Sequence, residues 1–246
     1  EISGLQRSLS VQNLSFPIKV AKSLMKARKI VKDFRPDIAI GVGGYASGPL
    51  LFAAAISGIP TIIQEQNSYP GVTNKILAKR AKKIFVAYPN MSLFFPENKI
   101  VYSGNPVRSI ILKNLPSKEE SCKFFGLDPN KPVVLSFGGS LGALTLNESI
   151  ENGLQQFSDN DIQVIWQTGS YYYKKIQEKW ANKTPKGIQI HEFLKEMNFA
   201  YGAADIIISR AGASSISELC IVGKSTILVP SPNVAEDHQT KNAMAL

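Results

Sequence analysis

Residues 204–230, ADIIISRAGASSISELCIVGKSTILVP, leave the chain few local options. Residues 205–209 are a short β-branched apolar run of the kind that fills a buried parallel strand, and Arg210 to Ser215 interrupts it. A helix is predicted from there, with Ser214 or Ser215 as N-cap, Ile216, Leu219 and Val222 at helical spacing, and Gly223 as the stop. Residues 225–229 read as a strand again. Two strands joined through a helix make a βαβ unit.

A strand-to-helix turn presents free backbone N–H groups and the positive end of a helix dipole, which suits a phosphate-bearing ligand. Glu218, one turn into the helix, can accept hydrogen bonds from two neighbouring hydroxyls such as a ribose diol. An ordinary βα turn with a solvated glutamate reads the same stretch equally well.

The same alternation runs along the whole chain. Residues 17–34 are predicted to be a helix opened by Pro17. Lys19, Lys22, Lys26, Arg28, Lys29, Lys32 and Arg35 face a single acid, Asp33, while Phe16, Ile18, Ala21, Leu24 and Met25 supply apolar surface. Such a helix suits an anionic membrane surface; a packed helix with a solvated basic face is the other reading. A strand at 37–41 enters the glycine turn Val42 to Pro49; Gly41, at the strand's end, with Gly43 and Ala46 matches the loose dinucleotide fingerprint, and Glu65 follows the next strand. That match is weak, because Pro49 opens the helix late and a second glycine loop competes for the role. The amides and hydroxyls of residues 65–71 lie where open α/β sheets hold ligands, although Asn67, Ser68, Pro70 and Gly71 are also ordinary turn residues. Beyond Gly104, Asn105 and Pro106, Arg108 is placed to meet a phosphate or sugar, or to be a surface arginine.

Residues 113–132 are polar, rich in Lys and Pro, and read as a domain joint carrying one helix with a capping box at Ser117 and Glu120. A strand at 133–137 leads into the turn Gly138 to Ala143, a phosphate cradle without a P-loop lysine. After a strand at 187–190, the segment His191 to Leu194 offers backbone and the side chains of Phe193, Leu194 and Met197 as walls for a planar base. Strand–helix alternation throughout predicts two doubly wound parallel sheets.

Composition narrows the function classes. The net charge of +9 favours an anionic partner. The two cysteines and two histidines are isolated, so neither a disulfide framework nor a zinc site is expected. The basic residues gather on one helix without a recognisable nucleic-acid module, which argues against nucleic-acid binding. The first residue is Glu and the last residues look like an unfinished helix, which suggests a piece of a longer protein.

Taken in order, GVGGYASGP, EQNSYPGVTNK, SGNPVR, FGGSLGA, HEFLKEM, SRAGASSISE and EDHQTKNA resemble the MurG family of peptidoglycan N-acetylglucosaminyltransferases, and the resemblance covers the whole chain. It implies the GT-B fold, two Rossmann-like domains facing each other across a cleft: an acceptor and membrane-side domain at 1–116 and a UDP-sugar donor domain at 117–246, each lacking its outer end. It further implies inverting transfer of N-acetylglucosamine from UDP-GlcNAc to the MurNAc C4 hydroxyl of lipid I, giving lipid II, with neither cofactor nor metal, by a peripheral protein of the cytoplasmic face of the bacterial inner membrane.

By motif, Glu218 would hold the ribose, Ala213, Ser214, Ser215, Ile216 and Ser217 the diphosphate region, and Leu194 the uracil, with Phe193 and Met197 nearby. Ser140 would touch the diphosphate, Gln239 and Asn67 the sugar, and Arg108 would complete the donor site. Gly43, Gly44 and Tyr45 would face the acceptor pyrophosphate, and Ile18, Lys19, Lys22, Leu24 and Lys26 the membrane. The family's glycine loop, with the histidine often proposed for catalysis, should precede residue 1; Glu65 is then the ionisable candidate for the base, and Arg210 or Arg108 can stabilise the leaving group. The alternatives are another UDP-sugar enzyme of this fold, such as a glycolipid glycosyltransferase or a sugar-nucleotide epimerase, a nucleotide-binding module without catalysis, or an NAD-dependent dehydrogenase using the Gly41 turn.

Overall fold

The structure, a computed structural model, describes residues 16–112 and 115–246. The chain divides into two compact units, Glu1–Asn105 and Pro106–Met244.

In the first unit, α1 (Phe16–Phe34) precedes four parallel strands, β1 (Ala39–Gly41), β2 (Thr61–Glu65), β3 (Lys83–Val86) and β4 (Ile100–Tyr102), ordered in space as in sequence. The crossovers include α2 (Ser47–Ile56) and α3 (Val72–Ala78). Leu51 of α2 joins Ile63, Ile84 and Val86 in the core, while Ala53 and Ala54 meet Ala27 and Val31 of α1. Gly41 is required at the end of β1, because a Cβ there would lie 2.4 Å from Leu51 Cδ2. With Ala27 and Val31 turned inward, α1 exposes Ile18 and Met25 together with Lys22 and Lys29 on its opposite face. The side chain of Phe16, counted in that apolar surface, lies outside the described residues.

The second unit runs α4 (Ser109–Leu112), α5 (Lys118–Phe125), β5 (Val133–Phe137), α6 (Leu144–Asp159), β6 (Gln163–Gln167), α7 (Tyr173–Trp180), β7 (Ile188–His191), α8 (Met197–Ala203), β8 (Ile206–Ser209), α9 (Ala213–Val222), β9 (Ser225–Leu228) and α10 (His238–Met244). Its five strands are parallel in the order β7-β6-β5-β8-β9. All five residues of β5 are buried, as a central strand covered on both faces must be. The expected capping box is present: Ser117 Oγ accepts from the Glu120 N–H and the Ser117 N–H donates to Glu120 Oε2, at 3.1 and 3.0 Å.

Two expectations are revised. The units divide between Asn105 and Pro106 rather than within 113–132, because Val107, Ile111 and Leu115 pack onto the core of the second unit; residues 113 and 114 lie outside the described set. The N-cap of α9 is Gly212, in extended conformation, so the helix begins at Ala213, before either serine expected to cap it. Residues 197–203, for which the sequence predicted no element, form α8, a short buried helix packed on α5.

Gly142 (φ +87°) crosses the loop after β6 so closely that a Cβ would sit 2.0 Å from the Thr168 carbonyl oxygen, whereas at Gly139 (φ +88°) nothing lies within 4 Å. Gly139→Ala should therefore cost only backbone strain, about 1–2 kcal/mol, and Gly142→Ala about 2–5 kcal/mol once overpacking is added. Urea unfolding of the two variants checks this; equal midpoints would refute the close crossing.

Candidate functional site

In the second unit the strand order places the change of chain direction between β5 and β8. The chain moves outward from β5 through β6 to β7, then returns to the other side of β5 for β8 and β9, and open α/β sheets bind ligands at the C-terminal strand ends beside such a point. Two turns flank it: residues 138–143 after β5 and 210–212 after β8. No side chain caps α9, so the N–H groups of its first turn, on Ala213, Ser214 and Ser215, are offered to a ligand with the positive end of the dipole behind them. Ile216 cannot contribute in that way. Its side chain is in the core and its N–H donates to the Gly212 carbonyl at 2.9 Å. Ser217 is likewise turned back, its hydroxyl donating to the Ala213 carbonyl at 3.0 Å.

Glu218 sits at the centre of a charged cluster. Arg108 Nε donates to Glu218 Oε1 and its terminal nitrogen to Oε2, both at 2.8 Å, and the Tyr201 hydroxyl donates to Oε2 at 3.1 Å. The hydrogen bond to Glu218 raises the Arg108 pKa, and burial beside the Glu218 carboxylate holds the Tyr201 phenol far above its ordinary value. Tyr201 arrives on the unanticipated α8 and was missed in the sequence for that reason. Arg210 is committed elsewhere: it donates to the carbonyls of Val229 and Pro230, at 3.1 and 2.9 Å, tying the turn after β8 to the loop after β9.

The loops are braced by buried polar side chains at the strand ends. Gln167, last residue of β6 and 4% exposed, donates to the Gly139 carbonyl at 3.1 Å and accepts from the Leu194 N–H at 2.9 Å, so one amide links the glycine turn to the 191–197 loop. A glutamine closing an apolar strand was the available signal. Ser170 adds a bond from its N–H to the Ser140 carbonyl at 3.0 Å, leaving the Ser140 side chain exposed. Of the three expected walls for a base, only Phe193 is exposed; Leu194 and Met197 are core residues, drawn inward by α8, so their side chains cannot line a pocket. Burial lowers the pKa of the adjacent His191. Gln239 accepts from the Ser231 N–H at 2.9 Å, fixing the start of the last loop.

The first unit gathers its polar residues at the same strand ends. Gly43 and Gly44 adopt positive φ (+88° and +75°), Tyr45 is exposed, and Gln66 Nε2 donates to the Val42 carbonyl at 2.7 Å. Asn105 donates to the Gln66 carbonyl at 3.0 Å and accepts from Gln64 Nε2 at 2.9 Å. Glu65 is 2% exposed. Its carboxylate accepts from the Asn67 and Gly71 N–H groups at 3.1 and 3.2 Å and from the side chains of Asn67 and Asn74 at 3.2 and 2.7 Å. That geometry makes Glu65 the anchor of the 66–71 loop. It also removes the ribose carboxylate from the dinucleotide fingerprint, since Glu65 faces its own loop.

Lys19, Lys22 and Lys26, all exposed, line a hollow of about 380 Å3 with Ala46, Pro49 and Leu50; Leu24 is half-buried and Ile18 exposed.

Two parallel α/β units with glycine turns at their strand ends define a GT-B protein built of two Rossmann-like domains. The models of the glycosyltransferase family 28 N-terminal domain and C-terminal domain match residues 1–86 and 133–246, and the chain belongs to glycosyltransferase family 28. It is 56% identical over 245 residues to the UDP-N-acetylglucosamine–N-acetylmuramyl-(pentapeptide) pyrophosphoryl-undecaprenol N-acetylglucosamine transferase of Parabacteroides distasonis, covering 100% of this chain and 67% of that protein. To the transferase of the same name from Cytophaga hutchinsonii it is 59% identical, covering 100% of this chain and 65% of that protein. The crystal structure of Acinetobacter baumannii MurG superposes with a TM-score of 0.70 at 34% identity, over 93% of this chain and 62% of that one. The chain thus spans about two thirds of the length of the relatives it matches.

Gln167→Leu keeps much of the side-chain volume and strands the buried Leu194 N–H, so it should destabilise the unit by about 1–3 kcal/mol. Hydrogen exchange at Leu194 should quicken along with the fall in urea midpoint; unchanged exchange at that amide would show that Gln167 is not the link.

Proposed function

We propose that this chain carries donor and acceptor surfaces of an enzyme that transfers N-acetylglucosamine from UDP-GlcNAc to the MurNAc C4 hydroxyl of lipid I, with inversion, giving lipid II. The observation that carries this reading is the uncapped N-terminus of α9 with Glu218 one turn inside it, beside the glycine turn of β5 at the change of strand direction. The relatives named above support the choice of substrates.

The acceptor O4 attacks the anomeric carbon, the bond from that carbon to the UDP oxygen breaks, and the O4 proton passes to a base. Negative charge grows on the departing diphosphate. The free N–H groups of Ala213, Ser214 and Ser215 act on that charge without reorganising, as fixed dipoles do in a transition state. Arg108 and the exposed Ser140 turn complete the anion's surroundings, Glu218 receives the ribose, and the 191–197 backbone with Phe193 receives the uracil. Within the second unit Gln239 serves the sugar, and within the first Gly43, Gly44 and Tyr45 serve the acceptor pyrophosphate. Glu65 as the base gains no support, because its four hydrogen bonds and burial commit it to the loop.

The exposed mixture of Ile18, Met25, Lys22 and Lys29 on α1 supports attachment to an anionic bilayer, at the cytoplasmic face of the inner membrane. Among the described residues no helix is long and apolar enough to cross a membrane.

Calorimetric titration with UDP, UDP-GlcNAc and NADH tests the donor site. UDP should bind, Glu218→Ala should weaken it roughly tenfold or more, and NADH should give no heat. Silence towards UDP from a sample that melts cooperatively would sink the reading. For the membrane face, replacing Lys22 and Lys29 by Ala should reduce binding to phosphatidylglycerol vesicles by about fivefold per lysine, since each contributes about 1 kcal/mol near such a surface. Unchanged vesicle binding would remove α1 from that role.

A further inference from the structure

The carboxylate assigned to the ribose is already occupied. Arg108 presents two parallel N–H donors to the two oxygens of Glu218, both at 2.8 Å. A vicinal diol offers the same thing, two adjacent donors to one carboxylate, so guanidinium and ribose compete for one set of lone pairs. The two protein partners of Glu218 differ in how they are held. Tyr201 is fully buried and approaches from the core. The Arg108 side chain is 47% exposed against 12% for Glu218, so it covers the carboxylate from the solvent side, where a ligand must enter. Arg108 also stands outside the sheet, just before the four-residue α4, so the guanidinium can leave the carboxylate without disturbing a strand.

We infer that Arg108 is a resident competitor of the ribose, and that a nucleotide binds by exchanging partners at Glu218. The diol replaces the guanidinium while the Tyr201 hydroxyl keeps Oε2 in place. The displaced guanidinium then needs another anion, and a nucleotide diphosphate brings one. A ligand with a ribose but no phosphate must separate the ion pair without replacing it. The pair therefore discriminates for ligands that carry both groups. This inference rests on the reading of Glu218 as the ribose acceptor.

The test compares binding of uridine, 2′,3′-dideoxyuridine and UDP to the unmodified chain, Arg108→Gln and Glu218→Gln, by NMR titration. Arg108→Gln should tighten uridine by about two- to fivefold, the equivalent of a partly exposed ion pair, leave dideoxyuridine unchanged and fail to tighten UDP. Uridine binding that is unchanged, weaker or undetectable in Arg108→Gln overturns the exchange, as does equal tightening of dideoxyuridine. Glu218→Gln separates the two layers: if it leaves the preference of the unmodified chain for uridine over dideoxyuridine intact, the ribose assignment itself is wrong. Melting curves accompany each variant, and Arg108→Lys, which keeps the charge but not the fork, should give a smaller uridine gain and carries the comparison if Arg108→Gln does not melt cooperatively.

Discussion

The pairing of β5 with β8 is the contact on which the second unit's candidate site depends. Their parallel register, from Val134 opposite Ile206 to Phe137 opposite Ser209, ends both strands at the same level. The glycine turn and the turn into α9 therefore emerge side by side although about seventy residues of chain separate them. Because the chain leaves β5 in one direction and re-enters beside it from the other, helices fall away on opposite sides and a crevice opens there. A lattice of this kind costs the loops little entropy, since each is short and both of its ends are fixed by buried strands.

What fixes the loops is polar rather than apolar. Gln167, Arg210 and, in the first unit, Glu65 are buried or half-buried groups at strand ends whose hydrogen bonds run to loop backbone. Breaking one would leave a donor or acceptor without water, so these loops are held rigidly. The Arg108–Glu218 pair differs: it joins two side chains rather than side chain to loop backbone, and the guanidinium is 47% exposed where the carboxylate is 12%.

The first unit uses the same plan with a different balance. Among the described residues its glycine turn has no carboxylate available beside it, because Glu65 is spent on its own loop, and positive charge gathers on α1. An anion in that unit would meet backbone N–H groups and lysines, with little to read a sugar's hydroxyls beyond the amides of Gln64, Gln66 and Asn105.

By itself the sequence determined the alternation of strands and helices, the two glycine turns, the capping box at Ser117 and the stop at Gly223, because these are local: each depends on propensity, spacing and a backbone conformation that few residues tolerate. It also singled out Glu218 and Arg108 one by one. Only the tertiary structure decided that they meet, since their pairing joins residues 110 positions apart and follows the packing of α4 against α9. The same holds for Tyr201, for the inward turn of Leu194, Met197 and Ile216, and for the burial of Glu65. Whether a side chain faces ligand or core is set by which element packs behind it, and that information is spread across the whole sheet rather than written beside the residue.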